Sequence, residues 1–273
     1  VEKTIGFIGG GHMASAMIGG ILKSGICKPI QIQASCRSKE TRERLEQAFG
    51  IRVYLDNAAV AAAADILILA IKPYQFAQVL PQIRQELKEG SVVVSIAAGQ
   101  TLAMLEQGFG STQALVRAMP NTPAQVGQAM SALCANELVE PQGLQEILEL
   151  FSSFGKAQVV PEALMDTVVG VSGSSPAYVY MMIEAMADAA VADGMPRDQA
   201  YVFAAQSVAG AAQMVLQTGQ HPAVLKDAVC SPGGTTIEAV AVLEEKGFGA
   251  AVIAAQRACT RKSREMSSPD PKK

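Results

Sequence analysis

A chain of 273 residues suits one large domain or two smaller ones, and 49% apolar against 17% charged residues mark it as globular. A net charge of −3, with Lys and Arg scattered along the chain, excludes the basic face that nucleic-acid binding needs. Cys27, Cys36, Cys134, Cys230 and Cys259 form no C-x-x-C and lie near no His pair, which excludes a zinc site and leaves free thiols suited to a reducing cytoplasm. So little charge covers a monomer's surface poorly. A second subunit is expected to cover part of the apolar excess, with an Ala-rich interior as the alternative. The chain as read opens on a strand pattern, so export is not expected. Its weakly charged run from Asn57 to Ile71 is interrupted by Asp65 and is too short for a bilayer.

In chain order, short apolar runs at Thr4 to Ile8, Ile30 to Ala34, Ile66 to Ile71, Ser91 to Ile96 and Ala114 to Met119 predict strands. They do not alternate apolar with polar, so both faces are expected to be covered, as in a parallel sheet. Between them, Met13 to Lys23, Lys39 to Phe49, Asn57 to Ala64, Phe76 to Leu87 and Leu102 to Gln107 read as crossover helices. This is the pattern of a doubly wound α/β, or Rossmann, domain spanning residues 1–163. After Pro161 the strand signal stops. Pro176 to Ala192 predicts a helix with apolar residues on nearly every face, expected to be buried all round. Further helices are predicted at Arg197 to Gln217, Ala223 to Val229, Thr236 to Glu245 and Ala250 to Met266. Residues 164–266 are thus expected to form an all-helical domain, and 267–273 a disordered polar tail.

The segment Ile8-Gly9-Gly10-Gly11-His12-Met13-Ala14 leaves a strand and enters a helix, the context that gives a G-x-G-x-x-A match its meaning. Gly9 permits the turn, Gly11 lets a pyrophosphate approach the backbone, and Ala14 allows close helix packing. The next strand ends at Ala34-Ser35-Cys36-Arg37-Ser38, where an NAD-specific site would carry an acidic residue. A cation with neighbouring hydroxyls suits a 2'-phosphate instead, which favours NADPH over NADH. Against this, Arg37 and Ser38 also suit a solvated helix start. The crevice is completed by Asn57, by Ala70, Ile71, Lys72 and Pro73, by Ala97, and by Met119 and Asn121 at later strand ends. No metal is expected. Farther on, Cys230-Ser231-Pro232-Gly233-Gly234-Thr235-Thr236 places a Pro-Gly-Gly turn and hydroxyls at a helix start, an anion cap that fits a small carboxylate.

With these residues the chain resembles the pyrroline-5-carboxylate reductases along nearly its whole length. The resemblance is most specific at Arg117-Ala118-Met119-Pro120-Asn121-Thr122-Pro123, at Gly170 to Tyr178 and at Leu225 to Ala239. It departs from many members at Ser175, Cys230 and Thr235. The resemblance implies reduction of the cyclic imine to L-proline by NAD(P)H, a homodimer interlocked through the helical domain, and often a pentamer of dimers. It places the substrate carboxylate at Ser231, Gly233, Gly234, Thr235 and Thr236, with Val229 against the ring and Thr236 as the catalytic hydroxyl. Thr236 also fits a helix N-cap. A β-hydroxyacid dehydrogenase would need a catalytic Lys, and the span Met165 to Leu216 contains none. A cofactor-sensing protein without turnover would have lost the Ser231 to Thr236 cap. Neither His12 nor His221 belongs to a triad, so both are expected to serve local loop or cap roles.

Overall fold

The computed structural model describes residues 2–268. Strands β1 (Ile5–Ile8), β2 (Ile32–Ser35), β3 (Arg52–Tyr54), β4 (Ile66–Leu69), β5 (Val92–Ser95), β6 (Ala114–Met119), β7 (Ala129–Ala135) and β8 (Gly155–Val159) form one sheet. Its order is β3-β2-β1-β4-β5-β6-β7-β8, with every neighbouring pair parallel except β6 and β7. Between the strands run α1 (His12–Ser24), α2 (Lys39–Phe49), α3 (Asn57–Ala63), α4 (Phe76–Ile83), α5 (Leu102–Phe109) and α6 (Pro141–Ser152).

Successive side chains of a strand point to opposite faces, so an unbroken apolar run requires two cores. In β4, Ile66 and Ile68 join Met17, Ile18 and Phe151 on one side, while Leu67 and Leu69 join Val60, Phe76 and Ile83 on the other. The chain crosses from β1 to β2 and returns to the far side of β1 to add β4, leaving a crevice at the strands' carboxyl ends. That reversal is the Rossmann switch point.

The five predicted strands and their crossover helices are present, with shifted ends. Three strands and α6 were not foreseen. In β7 the sequence AMSALCA replaces β-branched residues with small ones, and β8, GKAQV, lies at the sheet edge with polar side chains. Neither gives a hydrophobic run.

After β8 the chain is helical: α7 (Met165–Val168), a π turn (Val169–Gly173), α8 (Ser175–Ala192), α9 (Arg197–Thr218), α10 (Pro222–Val229), α11 (Thr235–Glu245) and α12 (Phe248–Met266). The compact units divide elsewhere than at residue 163. One unit runs to Ser174 and regains the chain from Cys259 onward; the other is Ser175–Ala258. Side-chain bonds account for this return, since Ser263 Oγ donates to Asp166 Oδ1 at 2.6 Å and Cys259 Sγ to Ser174 Oγ at 3.2 Å. Ser267, expected to begin a disordered tail, also donates to Asp166 Oδ1, at 3.0 Å. Residues 269–273 of that tail lie outside the described residues.

The expectation that α8 is buried all round does not hold within one chain. Only Ala187 of this helix is buried, while Tyr180 and Met181 are 60% and 70% exposed. Residues of α8 and α9 meet through an Asp188–Arg197 ion pair, but their remaining apolar faces find no cover in this unit.

Candidate active site

The turn after β1 is held by backbone bonds on both sides: Gly9 N donates to Ser35 O at 3.0 Å, and Ala70 N to Ile8 O at 2.9 Å. Gly9 has φ +105°, and a Cβ there would stand 2.5 Å from the carbonyl oxygen of Ala70. Ile8 is buried beneath the turn. Gly11 is the N-cap of α1 and supplies no side-chain bond to the first turn. The amides of His12 and Met13 therefore lack a side-chain cap, as an anion site requires. A Cβ on Gly11 would meet nothing within 4 Å. Open space over uncapped amides fits a pyrophosphate. A groove of about 710 Å³ runs along α1 past Ser15, Gly19 and Lys23 to Ser24, and His12 is the one expected cofactor residue bordering it.

At the end of β2 the expected set separates. Ser35 is fully buried, and its hydroxyl donates to Asn57 Oδ1 at 2.6 Å, while Asn57 Nδ2 donates to Gln82. Cys36 is buried and its thiol faces the carbonyl of Ser38; burial pushes that thiol's pKa up, outweighing the hydrogen bond. Ser38 caps α2, accepting from Thr41 N at 3.2 Å. The hydroxyls and thiol are spent on partners within the protein, because buried polar groups must be hydrogen-bonded. Arg37 alone is exposed there with no bond or ion pair among the described residues.

The later strand ends also differ in use. Ala70, Ile71 and Pro73 are partly exposed, and the Lys72 side chain reaches solvent while its amide donates to Gln75. Ala97 and Met119 are buried. Asn121 is buried too: its Nδ2 donates to Ser172 O at 2.9 Å and its Oδ1 accepts from Met130 N at 2.9 Å. It braces the end of β6 against β7 and the π turn. Among the described residues, no cluster of three His, Cys, Asp or Glu side chains could hold a metal ion.

In the helical unit, Ser231 to Gly234 form a turn closed by Gly234 N donating to Ser231 O at 3.0 Å, with Gly233 at φ +68°. The amide of Gly234 is thus engaged and not free for a carboxylate. The helix begins one residue earlier than expected, with Gly234 as N-cap and no side-chain bond to the first turn. Thr236 is therefore not a cap. Its hydroxyl and that of the exposed Thr235 stand beside amides that α11 leaves open, and Ser231 is exposed. Val229, at the end of α10, is 63% exposed. His221 caps α10, its Nδ1 accepting from Ala223 N at 3.2 Å.

Residues 162–266 match the family model for pyrroline-5-carboxylate reductase dimerisation, and residues 4–99 match the model for coenzyme F420-dependent NADP oxidoreductases. The chain is 53% identical to the pyrroline-5-carboxylate reductase of Escherichia coli strain K12 over 267 residues, covering 98% of this chain and 99% of that protein. It belongs to the pyrroline-5-carboxylate reductase family. The reductase of Methanosarcina acetivorans is 45% identical, with 97% of this chain and 98% of that protein covered. Among solved structures, the Plasmodium falciparum pyrroline carboxylate reductase with NADP bound superposes with a TM-score of 0.89 at 32% identity, covering 98% and 99% of the two chains. The pyrroline-5-carboxylate reductase of Coxiella burnetii gives 0.92 at 33% identity, covering 98% and 100%.

Two arginines of this reductase-family chain were not foreseen in the roles they hold. Arg117, on β6, is 1% exposed and donates to Glu162 Oε1 at 3.2 Å, with Asp166 Oδ1 3.8 Å from its other terminal nitrogen. Glu162 also accepts from Leu102 N at 2.8 Å, tying the start of α5 to the same charge. A cation inside an otherwise apolar strand was the available signal, for buried arginine is rare without partners. Nearby, burial pushes the Cys134 thiol up to about 11, keeping it protonated and inert at neutral pH. The second arginine, Arg44, reaches back to the glycine turn, and nothing in the helix's own pattern pointed to that.

Proposed function

We propose that this chain reduces (S)-1-pyrroline-5-carboxylate to L-proline, the last step of proline biosynthesis, with NADPH as the hydride source. One observation carries the reading: the Ser231 to Thr236 turn, an uncapped helix start with hydroxyls beside it, is intact in a chain that aligns end to end with reductases. The substrate joins a carboxylate to a cyclic imine. The carboxylate suits the first-turn amides of α11 and the Ser231 hydroxyl, where amides and helix dipole favour an anion. The exposed Val229 offers apolar surface to the ring.

A protonated imine is already an electrophile, so the protein need not provide a strong acid. The two histidines agree with this, since His221 is used as a cap and His12 belongs to the phosphate turn. Thr236 is the hydroxyl assigned to the ring nitrogen, as hydrogen-bond partner or proton relay. When bound, the reduced nicotinamide supplies the hydride taken up by the imine carbon. The turn at Gly9 to Met13 would hold the pyrophosphate and Arg37 the 2'-phosphate. Much of the catalysis is then positioning, which can remove about 7 kcal/mol or more from a bimolecular barrier.

The test is loss of reduced-cofactor absorbance on mixing the protein with pyrroline-5-carboxylate and NADPH. Binding of NADPH without turnover, or turnover only of other carbonyls, overturns the reading. In the same assay Thr236→Ala is expected to lower kcat by about tenfold or more with NADPH affinity retained. An unchanged rate at saturating substrate removes Thr236 from the mechanism. Arg37→Ala is expected to raise KM for NADPH by about tenfold and leave that for NADH nearly unchanged, because only the 2'-phosphate distinguishes them. Equal effects on both cofactors would show that Arg37 does not read that phosphate.

The apolar side chains exposed on α8 and α9 support a homodimer formed through the helical unit, and pentamers of such dimers are the larger assembly proposed. Five free cysteines suit a cytoplasmic location. Among the described residues no helix is long and apolar enough to cross a membrane.

A further inference from the structure

Arg44 lies in the middle of α2 and its side chain leaves that helix to reach the glycine turn. Its Nη2 donates to Gly10 O at 2.8 Å and its Nη1 to Ser15 Oγ at 3.1 Å, in the first turns of α1. No carboxylate pairs with it among the described residues, although Glu40 and Glu43 stand on the same helix and Arg42 pairs with Glu46. The planar guanidinium therefore bridges two points of the turn through a fixed fork and keeps its charge unneutralised.

The bond to Gly10 O has a consequence for the next amide. Across a trans peptide the N–H points opposite to the carbonyl, so holding Gly10 O toward α2 turns the Gly11 N–H away from α2. The space beside Gly11 on its Cβ side is open, and the following amides of α1 lack a side-chain cap. On the other side of Gly10 the packing leaves little freedom, since a Cβ there would stand 2.8 Å from both Leu45 and Thr41. Leu45 and Thr41 set where the turn lies, and Arg44 sets how its peptide plane is rotated.

We propose that Arg44 is a positioning residue for the dinucleotide: it orients the Gly10–Gly11 peptide so that the Gly11 amide faces the pyrophosphate. This rests on the reading of Gly9 to Ala14 as the pyrophosphate seat. The pyrophosphate is common to NADPH and NADH, so the effect is blind to the 2'-phosphate. That separates Arg44 from a residue that touches the ribose end.

The experiment measures KM, kcat and the fluorescence-detected Kd for both cofactors in the wild-type protein and in Arg44→Gln and Arg44→Lys, with Tm alongside. Arg44→Gln is expected to raise KM and Kd for NADPH and for NADH by the same factor, about fivefold for an exposed charged hydrogen-bond pair, with kcat within about twofold. Arg44→Lys, which keeps the charge and one donor, is expected to recover part of the loss for both. A rise for NADPH alone overturns the proposal in favour of a 2'-phosphate contact. Unchanged constants, or a fall in kcat and Tm without the KM change, overturn it as well. If Arg44→Gln does not fold, equal factors in Arg44→Lys support the proposal and unequal or absent effects overturn it. Should the wild-type protein bind neither cofactor, the seat itself is wrong, a result distinct from any outcome in the variants.

Discussion

Gly9→Ala is expected to destabilise the protein by about 3 kcal/mol and to weaken NADPH binding by more than about tenfold. Two effects add. At φ +105° a side chain is strained whatever its size, and the new Cβ would stand 2.5 Å from Ala70 O, a backbone atom of the neighbouring strand end that cannot rotate away. Relief requires β1 and β4 to part at the place where Gly9 N bonds Ser35 O and Ala70 N bonds Ile8 O. Gly11→Ala provides the contrast. Its Cβ would enter open space and its φ of −75° is ordinary, so stability should stay within about 0.5 kcal/mol of wild type while cofactor affinity falls. Urea unfolding and NADPH titration of the two variants separate strain from access. A Gly11→Ala protein that binds NADPH normally would mean that no ligand approaches that backbone.

Arg117→Ala is expected to cost about 3 kcal/mol, because it leaves Glu162 and Asp166 without their cation and opens a cavity on β6. The cost is set below the upper range for buried pairs, since the Glu162 side chain keeps 35% of its exposure and can be rehydrated. Arg117 Nε and Nη2 find no hydrogen-bond partner among the described residues, so the guanidinium itself is held at a desolvation cost. Arg117→Met should therefore be milder than Arg117→Ala, and adding Glu162→Gln and Asp166→Asn should recover part of the loss. Hydrogen exchange should also quicken over residues 259–268, because Asp166 accepts from Ser263 and Ser267 and holds the end of α12 to the sheet unit. Unchanged urea midpoints for Arg117→Ala would show that the buried charge carries no net stabilisation.

How far each feature could be read beforehand follows from where its signal resides. The apolar runs of β1, β4, β5 and β6 were legible because strands covered on both faces have little room for polar residues. The turn at Gly9 was legible because its conformation and close approach demand glycine. By contrast, β7 and β8 carry small or polar residues and acquire their pairing from strands far away in sequence. The α8 helix, apolar on nearly every face, gave its composition correctly and its environment incorrectly, since periodicity reports that a face needs cover and not which chain supplies it.

Local chemistry, then, was written in the chain: glycines where backbone must turn, Arg37 where an acidic residue would mark NAD, and a Pro-Gly-Gly turn opening α11. Side-chain partners were not. Burial sends the Ser35 hydroxyl to Asn57 and the Cys36 thiol to Ser38 O, and Gly234 takes the N-cap place that was the alternative role for Thr236. Arg117 and Arg44 acquire their roles from two carboxylates, a carbonyl and a hydroxyl that are 29 to 49 residues distant. A hydrogen bond depends on three-dimensional distance and direction, which hydrophobic spacing along a chain does not encode.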